Sequence, residues 1–143
     1  MTDLELAKKT LRENKYTCVL CVNGSIYTTV QRGVRPLVQW LESKEIQKNF
    51  SAADKVVGKA TAFLYCLLGA KAVYANVMSQ SAKVVLEAEG IVVDCDQLVD
   101  HIENRAKDGI CPFEAAVLRV DDPATALNAI RRKMKEFGIC MDD

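Results

Sequence analysis

Residues 16–31 read YTCVLCVNGSIYTTVQ, and this stretch decides the class of fold. The first seven residues, ending at Val22, are β-branched, aromatic or apolar, the composition of a strand. Asn23-Gly24 follows. That pair is the strongest short-range signal of a two-residue hairpin turn, because both residues tolerate positive φ. Residues 26–30 then read as the returning strand, so an antiparallel hairpin is expected. Cys18-x-x-Cys21 lies inside it. In a strand, positions three apart point to opposite faces, so two packed thiols are expected rather than a chelating or redox pair.

Working outward, Leu4, Leu6, Ala7 and Leu11 have near-helical spacing and predict a first helix. After the hairpin, Gly33 ends the strand. Pro36 suits the first turn of a short helix through Val38, Trp40 and Leu41. Residues 44–50 read as a polar loop. Ser51 reads as an N-cap and Asp54 as a first-turn acid of a long helix. Its apolar stripe would be Val56, Val57, Ala60, Phe63, Leu64, Leu67 and Leu68, with Gly69 as its stop. Residues 72–77 read as a strand. Ser79 or Ser81 caps a helix through Val84, Val85 and Leu86, which Gly90 ends, and residues 91–94 read as another strand. Residues 97–103 are ambiguous between elements, and 105–109 read as loop. Cys111-Pro112 opens a short helix or turn towards 117–120. Asp122-Pro123 starts a last helix with Ala126, Leu127, Ile130 and Met134 on one side.

A helix followed by a strand, twice over, implies crossover connections and partly parallel pairing. The expected architecture is a single α/β domain over residues 1–143, a three-layer α/β/α sandwich with a mixed sheet. There is no internal repeat, linker or low-complexity segment.

Composition narrows the function classes. A chain of 143 residues buries roughly 70% of its unfolded surface, so its core needs no staples. Lys+Arg and Asp+Glu are both 19, for a formal net charge of zero. That balance argues against a main task of holding nucleic acid or an acidic membrane, though not against a local basic pocket. No apolar run approaches the ~18 residues of a membrane span. MTDLELAKKTLREN at the start is charged and amphipathic, unlike a secretory signal. The six cysteines are accordingly expected as reduced thiols in a cytoplasm.

Three segments go further: DKVVGKA at 54–60, ENR at 103–105 and GICPFEAAVL at 109–118. They resemble a small prokaryotic family of uncharacterised proteins, domain-of-unknown-function family 1893, placed in the cytidine-deaminase-like superfamily. The resemblance spans about the whole chain. It implies a cytidine-deaminase-like fold and a cleft, but no settled activity. Zinc deaminases carry H-x-E or C-x-E on the first core helix and P-C-x-x-C opening the next. Here Val57-Gly58-Lys59-Ala60 and Met78-Ser79-Gln80-Ser81-Ala82 stand at the expected places, and the only histidine, His101, lies outside both. No zinc, no other cofactor and no hydrolytic deamination are therefore expected.

The candidate site residues each have two readings. Lys59, at the border of the apolar stripe, either snorkels or points into the cleft towards a phosphate or carboxylate. A partly buried lysine can also act as a base or nucleophile. Asp54 reads as a helix-start acid beside the cleft. Lys55, one turn before Lys59, would form a cationic patch with it. Ser79 and Ser81 either cap a helix or, with its free N–H groups, hold an anion. Cys111-Pro112-Phe113-Glu114 reads as a helix start with Glu114 reaching back to the cap. It reads equally as a reactive thiol at a helix N-terminus, with Glu114 as general acid or base. Asn104 and Arg105 precede it. Arg105 either grips a phosphate or carboxylate in bidentate fashion or pairs with an acid to hold the loop.

The leading expectation is a cytoplasmic protein that binds an anionic small molecule, such as a nucleotide-derived metabolite. Its cleft would be lined by Lys59, Ser79, Asn104, Arg105, Cys111 and Glu114. One rival is a metal-independent enzyme with Cys111 as nucleophile, Glu114 as acid or base and Lys59 as anion stabiliser. The other is an interaction module with an exposed apolar patch that includes Trp40. Self-association is compatible with all three.

Overall fold

Asn23 and Gly24 take φ of 50° and 83°, as a two-residue hairpin turn of the primed type requires. They join β1 (Cys18–Val22) to β2 (Ser25–Thr29), paired antiparallel from Val22↔Ser25 to Cys18↔Thr29. The computed structural model describes residues 1–103 and 109–138. Ahead of the hairpin lies α1 (Asp3–Glu13), capped by Thr2, whose hydroxyl accepts the Glu5 N–H. The Asp3 carboxylate accepts the N–H groups of Asn23 and Gly24 and ties the helix start to the turn.

After the hairpin, α2 (Arg35–Ser43) starts with proline in its first turn, as expected. Residues 51–57 then depart from the sequence reading. They form β3 (Ser51–Val57), and the helix α3 (Lys59–Leu68) starts only after Gly58. The expected helix from Ser51 to Leu68 is thus a strand and a helix. The reason is non-local. β3 lies between two neighbours that satisfy its backbone, with Cys18↔Asp54 against β1 and Asp54↔Ala75 against the next strand. Hydrogen bonds from both sides outweigh a weak helical propensity.

The chain continues with β4 (Ala72–Ser79), α4 (Gln80–Ala88) and β5 (Val92–Val99). Ser79 caps α4 by accepting the Ala82 N–H at 3.1 Å. β5 runs five residues beyond the expected strand, into the stretch that carried no clear signal. Two helices close the described chain. They are α5 (Pro112–Ala116) and α6 (Pro123–Glu136), the latter capped by Asp122 on Thr125. Among the described residues no helix is long and apolar enough to cross a membrane.

The sheet order is β2-β1-β3-β4-β5, with β3, β4 and β5 parallel and β1 antiparallel to both its neighbours. This is a mixed five-stranded sheet of the α/β class. Its pleat sorts the side chains. Cys18, Leu20, Val22, Ala52, Val73 and Ala75 join Leu37, Phe63, Leu64, Leu86, Ile130 and Met134 in the larger core. Val19, Cys21, Ala53 and Tyr74 face Ala7 and Leu11 of α1. Cys18 and Cys21 thus lie on opposite faces, as their spacing requires. Trp40 is partly buried and packs on the larger core, so it does not head an exposed patch.

Candidate functional site

Three hollows open along the carboxyl ends of the parallel strands, and Val56 lines all of them. The first, of about 320 Å³, is lined by Thr17, Cys18, Gln31, Arg32, Gly33, Pro36, Leu37, Asp54, Lys55 and Val56. The second, of about 490 Å³, shares Arg32 and Gly33 with it and adds Gly58, Thr61, Glu103, Cys111, Phe113 and Glu114. The third, of about 670 Å³, shares Ile102 and Glu103 with the second and adds Val77, Gln97, Val99, Asp100 and His101. Together they form a trough beside the boundary where the parallel strands meet antiparallel β1. The carboxyl ends of parallel strands are where open α/β sheets hold ligands.

Asp54 sits at the β1–β3 boundary. Tyr65, fully buried on α3, donates its hydroxyl to Asp54 Oδ2 at 2.7 Å. The Cys18 Sγ lies 3.1 Å from the same hydroxyl. The Val56 N–H reaches Oδ1 at 3.4 Å. Burial pushes the Asp54 carboxyl up to about 6, against hydrogen bonds from Tyr65, Val56, Lys55 and Cys18 that pull it down. Burial and the Asp54 charge push the Tyr65 hydroxyl and the Cys18 thiol upward as well. Both therefore stay protonated. With the phenol proton on an ionised Asp54, the thiol donates to the phenol oxygen.

Glu114 is placed differently. It is 7% exposed, and both oxygens are engaged. Oε1 accepts the Lys59 N–H at 2.8 Å and Oε2 the Ala60 N–H at 2.9 Å. Gly58, the cap position of α3, has no side chain to satisfy these groups. A Cβ there would lie 2.5 Å from the Glu114 carboxylate. The glycine makes room for the carboxylate, and α5 supplies the cap that α3 lacks. Glu114 thus caps α3, whereas the sequence reading had it reach back to the cap of its own helix.

The other expected site residues divide among the hollows. Cys111 is half-buried at the start of α5, and its N–H donates to the Ile102 carbonyl at 3.0 Å. It shares the second hollow with Glu114. Lys59 does not join them through its ammonium. That group donates to the Leu118 carbonyl at 3.1 Å, 5.8 Å from the centre of the Phe63 ring. Lys59 lines a separate hollow with Ser81 and Asp121. Lys55 is on β3, so it is not one helical turn from Lys59. It shares the first hollow with Asp54. Ser79 is buried, with its hydroxyl on Ala82 and 3.2 Å from the Ser81 hydroxyl. Asn104 and Arg105 lie outside the described residues. Among the described residues, no group of three or more His, Cys, Asp or Glu is placed to hold a metal ion.

The sequence reading missed Arg32, Thr61, Glu103 and the Tyr65–Cys18 pair. For Tyr65 a signal existed. A tyrosine among the apolar residues of a buried helix needs a partner for its hydroxyl, and Asp54 is the nearest preceding acid.

Comparison with known proteins agrees on the scaffold. The crystal structure of a DUF1893 family protein from Thermotoga maritima matches this fold with a TM-score of 0.82. The two are 24% identical, over 96% of this chain and 92% of that one. A search of curated proteins finds no match. The family model described as domain of unknown function (DUF1893) matches residues 6–134. With that match over most of its length, the chain belongs to the DUF1893 family.

Proposed function

We propose that this DUF1893 protein is a cytoplasmic binder of an anionic small molecule, such as a nucleotide-derived metabolite, on a cytidine-deaminase-like scaffold that does not use zinc. The observation that carries the reading is the trough. Its hollows are contiguous, fall in the size range of small-molecule sites and follow the carboxyl ends of β3, β4 and β5. Arg32 and Lys55 bring two cations to one end, and Asp100 and Glu103 bring acids to the other. A ligand with its anionic part at Arg32 and Lys55 fits that polarity. The element order, from the hairpin through alternating helices and strands, supports the deaminase-like scaffold. The expected places, now at the starts of α3 and α4, carry Val57-Gly58-Lys59-Ala60 and Met78-Ser79-Gln80-Ser81-Ala82. Neither set contains the His, Cys or Glu that a deaminase zinc site needs.

The metal-independent enzyme built on Cys111, Glu114 and Lys59 has less support. The Glu114 oxygens are held by two backbone N–H groups, and the Lys59 ammonium by a carbonyl.

A thermal-shift panel of nucleotides and sugar phosphates tests the binding reading. A phosphorylated compound is expected to raise the unfolding temperature, and the double substitution Arg32→Ala/Lys55→Ala to remove most of the rise. No shift with any compound at millimolar concentration overturns it.

A further inference from the structure

The first hollow contains a chemistry that anion binding does not use, a half-buried carboxyl beside the apolar Pro36, Leu37 and Val56. We infer that it is a recognition subsite for a planar nitrogenous group with paired N–H donors, an amidine or an amino-substituted ring, which Asp54 receives while Arg32 and Lys55 meet the ligand's anionic part. This rests on the trough being the binding site and names the chemistry of one end of its ligand.

Three observations carry it. First, Asp54 is fixed from the protein side by Tyr65 at 2.7 Å, with Cys18 behind that hydroxyl, so the carboxyl is oriented before any ligand arrives. Second, the other oxygen accepts the Val56 N–H only at the long distance of 3.4 Å, with the Lys55 N–H also directed at the carboxyl. A carboxylate offers about four lone-pair sites, and Oδ1 retains capacity for a further donor. Third, Pro36, Leu37 and Val56 line the same hollow. A donor that enters between apolar walls loses water and must find an acceptor, and a carboxylate can meet two parallel N–H groups at once. A volume of about 320 Å³ suits a single ring with its substituent. The rest of a larger ligand would continue past Arg32 and Val56 into the second hollow.

The arrangement is selective. An analogue with a carbonyl in place of the amino group would set oxygen against the ionised Asp54 and lose affinity on that account. It is also pH-dependent. The groups in contact with the Asp54 carboxyl are Tyr65 from α3, with Cys18 from β1 behind it, and the backbone N–H groups of Lys55 and Val56, while the cations Lys55 and Arg32 line the same hollow. Cys18 and Tyr65 are pushed upward and stay neutral. The titration of Asp54 near 6 therefore governs the binding of a cationic head group.

The experiment is an amide-resolved NMR titration of the full chain with benzamidine, benzamide, 4-amidinobenzoate and, separately, a sugar phosphate. Benzamidine is expected to move the amides of Cys18, Asp54 and Val56. Its affinity should fall about tenfold from about pH 7.5 to about pH 5 as Asp54 takes a proton. 4-Amidinobenzoate should bind more tightly than benzamidine, and Lys55→Ala should remove that gain. Asp54→Asn should abolish the preference for benzamidine over benzamide. Should this variant fail to fold, the pH profile of the unaltered protein decides alone. The inference is overturned by equal affinity for benzamidine and benzamide, by a flat pH profile, or by shifts confined to Thr61, Ile102 and Glu103. If the sugar phosphate moves trough residues while benzamidine moves none, this inference falls and the binding reading stands. If neither moves them, both fall.

Discussion

Two of the carboxyl groups that border the trough are treated in opposite ways. Glu114 is met by two backbone N–H groups at the start of α3, at 2.8 and 2.9 Å, where the helix dipole also favours a negative charge. Asp54, on the central strand β3, is met by a tyrosine hydroxyl, and burial outweighs its hydrogen bonds to push it up to about 6. What differs is the donor set. Aligned amides hold Glu114 as part of the scaffold, whereas phenol and thiol leave Asp54 free to take a proton near neutrality. The acid that reads as reactive in the sequence caps α3, and the acid that reads as a helix-start residue lies on a strand with its carboxyl raised.

Changes at the start of α3 should be the most costly. Glu114→Ala leaves the N–H groups of Lys59 and Ala60 without their acceptor and should cost about 3 kcal/mol in urea denaturation. Gly58→Ala drives a Cβ into the same carboxylate and should cost a similar amount. The double variant should cost clearly less than the sum, because both changes break one contact. Additive losses would mean that Gly58 serves some purpose other than admitting Glu114.

Asp54→Asn should act in the other direction. The folded carboxyl titrates near 6, against an ordinary value of 3.8. The stability this group contributes is therefore complete below about pH 4 and lost as pH rises through about 6. At about pH 8 the asparagine variant should be more stable than the parent by about 3 kcal/mol, with the gain vanishing below about pH 4. A constant offset across pH would contradict the raised titration.

Tyr65→Phe removes the hydroxyl between Cys18 and Asp54 and should cost about 1 kcal/mol. It should also raise the Asp54 midpoint further, read from the carboxyl carbon by NMR, because a hydrogen bond that favours the charged form is lost. The smallest effect should be that of Lys59→Met. Its single bond to the Leu118 carbonyl lies at the surface, and the loss should stay below about 0.5 kcal/mol.

Much of this fold is legible in the sequence where the cause is local. Asn23-Gly24 marks the hairpin because few other residue pairs accept positive φ twice in succession. Ser79 and Asp122 mark helix starts because a short polar side chain reaches the third N–H beyond it. Residues 51–57 are legible only in part. Ser51 and Asp54 are good helix-start residues, and the valines after them continue an apparent helical stripe. The hydrogen bonds that make this segment a strand come from β1 and β4, which pattern reading does not bring together. In the site, Cys111 and Glu114 were singled out and do share a hollow. The partners of Glu114 are 54 and 55 residues away, so its capping of α3 leaves no local mark.

The amino-acid sequence alone determined the hairpin, the strand–helix–strand order of β4, α4 and β5, the opposite faces of Cys18 and Cys21 and the balance of charge. Each follows from residue type and spacing over a few positions. Tertiary structure decided that Glu114 is tied to the start of α3 and that the Asp54 carboxyl is raised. Each environment depends on burial and on donors brought from remote elements, the α3 backbone for Glu114, Tyr65 and Cys18 for Asp54. Those quantities exist only once the sheet and its helices have packed.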